Sequence, residues 1–137
     1  MGGRVVAVHD AEPDHVARRS QLALLPYALR QRERVRAGGA AIAGNHVVIA
    51  LGLAGPFVLL AHLQHGSVLV RPGDNVESGN RIGNCGNSGN STQPHVHVQV
   101  TDSLDWPRSR GLPMAFAAAD GTVRMPGESE IVVVDRR

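Results

Sequence analysis

The stretch from Gly83 to Asp102, GNCGNSGNSTQPHVHVQVTD, limits what this chain can fold into more than any other segment. Its last residues alternate. In an extended strand His95, His97 and Gln99 fall on one side, and Val96, Val98 and Val100 fall on the other. That pattern turns one face to a core and the other to a site, and it predicts that the three valines are buried beneath the histidines. Imidazoles two residues apart on a strand stand about 6.5 Å from each other, a spacing that suits a metal ligand beside a second imidazole that handles protons. Upstream, Gly83, Gly86 and Gly89 among Asn and Ser specify tight turns, and Pro94 fixes φ just ahead of His95.

The rest of the chain is punctuated in the same manner. Sixteen Gly and eight Pro separate short Val-rich runs, which favours many short strands over long helices. A length of 137 residues with 42% hydrophobic composition is enough for one domain with its own core. Strands are expected at Arg4–Val8, then as a hairpin of Asn45–Leu51 and Phe57–Gln64 around the Gly52–Pro56 turn. Further short strands are expected at Val68–Val70 and around Val76, Gly79 and Ile82, with a terminal pair from Thr122–Met125 and Ile131–Val134. Between Asp10 and Gly44 the texture changes: Leu22, Leu25 and Leu29 keep helical spacing, Pro26 interrupts them, and Arg30–Arg36 is strongly basic. The expected fold is mainly β, a compact antiparallel β-sandwich or barrel-sandwich hybrid. It comprises a short helical, basic insertion over 11–44, a core over 45–101 and a C-terminal extension over 103–137.

Charge and composition exclude several functions. Between Val16 and Arg36 there are six Arg and one Glu, or +5, which leaves −3 for the remainder of a chain of net charge +2. The basicity is a local patch, read as a solvated helix face before it is read as a lid or a seat for an anionic polymer. Only four aromatic residues (Trp 1, Tyr 1, Phe 2) are present, so no base-stacking platform accompanies the patch and nucleic-acid binding is not expected. Every one of the 14 basic residues is Arg. The run VLVRPGDNVESGNRIG is similar to the half-barrels of biotinyl and lipoyl carriers, but those attach their cofactor to a lysine, and this chain has none. Cys85, the single cysteine, can form no intramolecular disulfide, and with no helix N-terminus or cationic neighbour to activate it, it reads as a small filler rather than a nucleophile. The longest uncharged run, Val47–Leu63, is broken by Gly52, Gly55 and Pro56 and falls short of the ~20 residues of a membrane helix. MGGRVVAV carries no signal peptide.

His62 is expected to share a face with Val58 and Leu60, where an isolated histidine is ordinarily a hydrogen-bonded structural residue. His46 and His65 have weaker claims to a role. Trp106 reads as an anchor or a groove wall.

Taken together, GNHVVIAL followed by FVLLAHLQHGSVLVRPGDNVESGNRIGNCGNSGNSTQPHVHVQV resembles the lysostaphin-type zinc endopeptidases that cut peptidoglycan cross-links. The match covers roughly Asn45–Thr101 and rests on three elements in order: Ala61-His62-Leu63, the turn around Gly73–Val76, and the Gly-rich approach to His95-Val96-His97. The resemblance implies a metalloendopeptidase acting on peptidoglycan peptide, in the cell envelope or outside the cell, with one Zn2+. It makes His97 a zinc ligand and His62 with His95 the catalytic pair. The chemistry is coherent, since zinc with an open position lowers the pKa of water to about 7 and polarises a carbonyl, while an imidazole nearby accepts the proton.

The family completes its zinc shell with a His-x-x-x-Asp motif, and no histidine here is followed four residues later by aspartate. Three expectations follow. The abrupt strand at Arg4 suggests that the remaining ligands lie upstream of Met1; alternatively His9, Asp10, Asp14 or His15 substitute for them. In the third, the chain is a non-catalytic relative that binds cell-wall peptide or a protein partner.

Overall fold

The computed structural model describes residues 2–16 and 38–133. The leucine-spaced segment Leu22–Leu29, the Arg30–Arg36 patch and Val134 lie outside the described residues.

Five strands form one antiparallel sheet: β1 (Gly2–His9), β2 (His46–Ala50), β3 (Phe57–Ala61), β4 (Asn75–Glu77) and β5 (His97–Thr101), in the spatial order β4-β1-β2-β3-β5. A five-residue helix, α1 (Gly39–Ala43), precedes β2. A two-stranded pair, β6 (Phe116–Ala117) and β7 (Val123–Arg124), follows. The mainly β, antiparallel architecture is as expected. So is the hairpin, which turns between β2 and β3 and pairs Val47 with Leu60 and Ile49 with Val58.

Alternation sorts the sheet into two faces. Val5, Val47 and Ile49 point to one side and join Leu63 and Val76 in the core, with Val8, Val58, Leu60, Val68, Val70 and Ile82 packed against them. Burying a side chain of this size contributes about 1.5–3 kcal/mol. The β1 strand can present both Val5 and Val8 to this side because its register shifts between Val5 and Ala7, a bulge that places Val6 outward. Ala7 opposite Val48 and His9 opposite His46 then fall on the other face, which carries the site.

Several elements differ from the sequence reading. Val68–Val70 is irregular, held to the Gly-rich region by Leu69 N–H donating to Ile82 O at 2.8 Å. The terminal pair is β6 with β7, because Asp120-Gly121 makes the tight turn: Ala118 N–H donates to Thr122 O (2.9 Å), and the Asp120 carboxylate accepts from Thr122 N (2.9 Å) and Oγ1 (2.6 Å). Val96 is 40% exposed, and Val98 and Val100 are only half-buried. Strand β5 lies at the sheet edge, so its apolar side is covered along one flank alone. Cys85 is exposed and fills no core space.

Asn45, fully buried, ties the N-terminal segment to the sheet. Its amide donates to Glu12 O (2.7 Å) and Leu63 O (3.1 Å), its carbonyl accepts from Glu12 N (2.8 Å), and its backbone N–H donates to Ser88 Oγ (3.0 Å). Asn45→Ala strands these buried partners and is expected to cost about 1–3 kcal/mol, read as a lowered urea midpoint with an unchanged slope.

Candidate active site

His62 is placed by its backbone. It follows the last residue of β3 with φ at 61°, in the left-handed region that histidine visits more readily than most residues. That single conformer breaks the alternation, so His62 does not share a face with Val58 and Leu60, which pack on the core. It turns instead toward the face of Leu59 and Ala61, with which it lines one cavity. Its N–H donates to Ala43 O (2.9 Å), at the end of α1, and its carbonyl accepts from Gly86 N (3.1 Å).

The strand face carrying His97 meets it there. His97 lies opposite Ala61 and Gln99 opposite Leu59. His95 stands before β5, bridged to Gly86, to whose carbonyl its N–H donates at 3.2 Å. The result brings the three histidines together: ring centroids are 4.8 Å apart for His62 and His95, and 6.2 Å for His62 and His97.

The hydrogen bonds set which nitrogens carry protons. His62 Nδ1 lies 2.9 Å from Ser88 O and His95 Nδ1 lies 2.8 Å from Gln93 O. A carbonyl only accepts, so in both rings Nδ1 is the donor, and Nε2 holds the lone pair when the ring is neutral. His97 Nε2 lies 3.2 Å from Gln99 Oε1, which assigns its lone pair to Nδ1. Neither Ser88, buried at the turn, nor Gln93 could be assigned this anchoring role from spacing. Ser88 reaches His62 because the backbones at Gly44 and Gly89 cross so closely that a Cβ on Gly89 would meet Gly44 N at 2.4 Å.

Burial holds the pKa of His62 below its ordinary value of 6.5, opposed by the Ser88 hydrogen bond and reinforced by His95 and His97. His46, buried against Trp106 and stacked with His9, is lowered in the same direction by desolvation. Both therefore bind a proton more weakly folded than unfolded. Their contribution to stability is fully present above about pH 6.5 and is lost as pH falls through 6.5 toward the folded value. Urea midpoints should drop as pH falls below about 6.5, and His46→Gln should remove part of that drop.

Of the residues weighed as substitute ligands, the two aspartates are already engaged with backbone N–H groups. Asp10 uses both oxygens on backbone, accepting from Gly66 N (2.9 Å) and Val68 N (3.1 Å), and Asp14 does the same with Asn87 N (2.7 Å) and His65 N (2.8 Å). His15 Nε2 lies 3.0 Å from Gly89 O. These side chains clamp segment 10–15 to the turns behind His62. Among the described residues no group of three or more His, Cys, Asp or Glu is placed to hold a metal ion. The donors of His97 suit one zinc ligand, but the described residues do not form a closed shell.

A cavity of about 330 Å3 adjoins the histidines, and Trp106 forms part of its wall. Among the described residues no helix is long and apolar enough to cross a membrane.

Comparison with known proteins agrees with this arrangement. Residues 28–109 match Peptidase family M23. Over 58 residues the chain is 40% identical to the peptidoglycan DD-endopeptidase ShyA of Vibrio cholerae, an alignment that covers 42% of this chain and 13% of that protein. The chain thus spans only a small part of the relative it matches. No solved structure gives a significant match. With more than half of its length matched and the lysostaphin-type residues Ala61-His62-Leu63 and His95-Val96-His97 converging on one face, the chain belongs to Peptidase family M23.

Proposed function

We propose that this domain is a metalloendopeptidase that hydrolyses peptide cross-links of peptidoglycan outside the cytoplasm. The observation that carries the proposal is the convergence of His62 with His95 and His97 from segments more than thirty positions apart in sequence. The relative's activity on peptidoglycan supports the substrate class. His97 is the zinc ligand, with the remaining ligands contributed from outside the described residues. Bound zinc would supply a Lewis acid that acidifies an attacking water and polarises the peptide carbonyl. His62 and His95 take and return the proton. Each is oriented for this by a backbone carbonyl on Nδ1, which leaves Nε2 as the accepting atom in the neutral ring. The depressed pKa of His62 keeps it neutral, and so able to accept, at physiological pH.

Muropeptide release from purified peptidoglycan tests the proposal. Cleavage is expected to stop on chelation and return with zinc, and bound zinc is expected to be lost in His97→Ala. A second reading, binding of cell-wall peptide without cleavage, is favoured by the missing metal group among the described residues. It predicts peptidoglycan binding indifferent to chelator, and chelator-sensitive cleavage excludes it.

A further inference from the structure

The chain segments that carry His62 and its hydrogen-bond acceptor are joined directly, by Gly86 N–H donating to His62 O, and a second time through Asp14. Asp14 is exposed, yet both of its carboxylate oxygens are used: Oδ1 accepts from Asn87 N (2.7 Å) and Oδ2 from His65 N (2.8 Å). His65 lies three residues after His62, and Asn87 immediately precedes Ser88, whose carbonyl holds His62 Nδ1 at 2.9 Å. One carboxylate therefore spans the segment that bears the ring and the segment that bears its acceptor.

His15 completes a bracket around Ser88. Its backbone N–H donates to Asn87 O (3.0 Å) and its carbonyl accepts from Asn87 Nδ2 (2.7 Å), while its ring Nε2, facing a carbonyl that can only accept, donates to Gly89 O at 3.0 Å. Both chain neighbours of Ser88 are thus tied to the dipeptide Asp14-His15. Ser88 itself is fully buried, with Oγ donating to Leu63 O (2.8 Å) and accepting from Asn45 N (3.0 Å). Hydrogen bonds to a carboxylate are about twice as strong as neutral ones, so the Asp14 arm of the bracket resists rotation of the peptide that carries the Ser88 carbonyl. Asp10 supplies a contrast on the same segment. Its two oxygens accept from Gly66 N and Val68 N and reach neither neighbour of Ser88.

We propose that Asp14 and His15 are positioning residues for His62: by bracketing Ser88 they hold its carbonyl on His62 Nδ1, and so keep Nε2 as the nitrogen with the lone pair. The proposal rests on the reading of His62 as a proton acceptor in the reaction. An acceptor misplaced by about 1 Å can cost about 10²-fold in rate, so a bracket remote from the substrate still governs turnover.

Nitrogen NMR of the 137-residue chain labelled in histidine tests this without requiring cleavage. At alkaline pH, where the rings are neutral, the proton of His62 is expected on Nδ1. Asp14→Ala should make that proton exchange with solvent about tenfold faster and should populate the tautomer protonated at Nε2. His15→Ala, which frees Gly89 on the other side of Ser88, should act in the same direction. Asp10→Ala removes as many carboxylate hydrogen bonds from the same segment, and should lower the urea midpoint while leaving the His62 proton unmoved. In a preparation that cleaves peptidoglycan, Asp14→Ala should lower kcat about tenfold with KM and bound zinc unchanged, and Asp10→Ala should not. A wild-type proton on Nε2, a His62 proton unmoved in the folded Asp14→Ala and His15→Ala variants, or an equal response to Asp10→Ala overturns the proposal. Loss of the proton from Nδ1 in chains that never cleave would leave the bracket standing and remove the peptidase reading, whereas cleavage with the proton unmoved in every variant would do the reverse.

Discussion

Replacing Gly86 by alanine is expected to destabilise the domain by about 3 kcal/mol and to separate His62 from His95. Gly86 is a knot between the two halves of the site: its N–H donates to His62 O and its carbonyl accepts from His95 N. A Cβ there would stand 2.3 Å from Gln64 N, 2.4 Å from Gln64 Cα and 2.5 Å from Leu63 C. These are backbone atoms of a segment held on its other side by Leu63 N–H donating to Asn45 O at 2.9 Å, so they cannot yield as a flexible side chain would. Gly83 supplies the control. A Cβ on Gly83 meets nothing closer than Ser67 at 3.4 Å, an ordinary contact. Urea unfolding should therefore show a large loss for Gly86→Ala and a small one for Gly83→Ala. Histidine ring resonances at His62 and His95 should shift in the first variant alone. Equal stability of the two would mean that the turn relaxes freely and does not hold the site.

That knot also marks the limit of what the sequence made legible. The period-two pattern correctly put His97 and Gln99 on one side of β5, because alternation in a strand is fixed by backbone geometry. The Gly-Pro turn correctly gave the β2–β3 hairpin. The same period misplaced His62, since one left-handed residue reverses the side to which everything after it points, and no spacing rule announces which non-glycine residue will adopt it. It misjudged Val96, whose burial depends on β5 lying at an edge, a property of topology rather than of local pattern. Asp10 and Asp14 looked available as ligands in sequence, and only the fold shows that turn backbone N–H groups more than fifty positions away occupy their oxygens. The Asp120-Gly121 hairpin was missed in favour of a pairing of Thr122–Met125 with Ile131–Val134, although its dipeptide is strongly associated with such turns.

In a preparation that cleaves peptidoglycan, His62→Ala is expected to lower kcat/KM by about 10²–10⁴-fold while leaving the zinc content unchanged; His97→Ala is expected to remove both. The distinction follows from the proposed roles. His97 would lose a metal donor, whereas His62 would lose a proton acceptor whose orientation comes from Ser88 O and whose neutrality comes from burial and from the neighbouring imidazoles. Because its folded pKa lies below 6.5, the acid limb of the pH–rate profile assigned to it should have its midpoint below 6.5, with activity rising as pH increases through it. The limb should vanish from the residual activity of His62→Ala. If that variant instead retained full activity with the limb in place, the proton would be handled elsewhere, and His95, whose Nε2 is left as the accepting atom in the same way, would be the first alternative to replace.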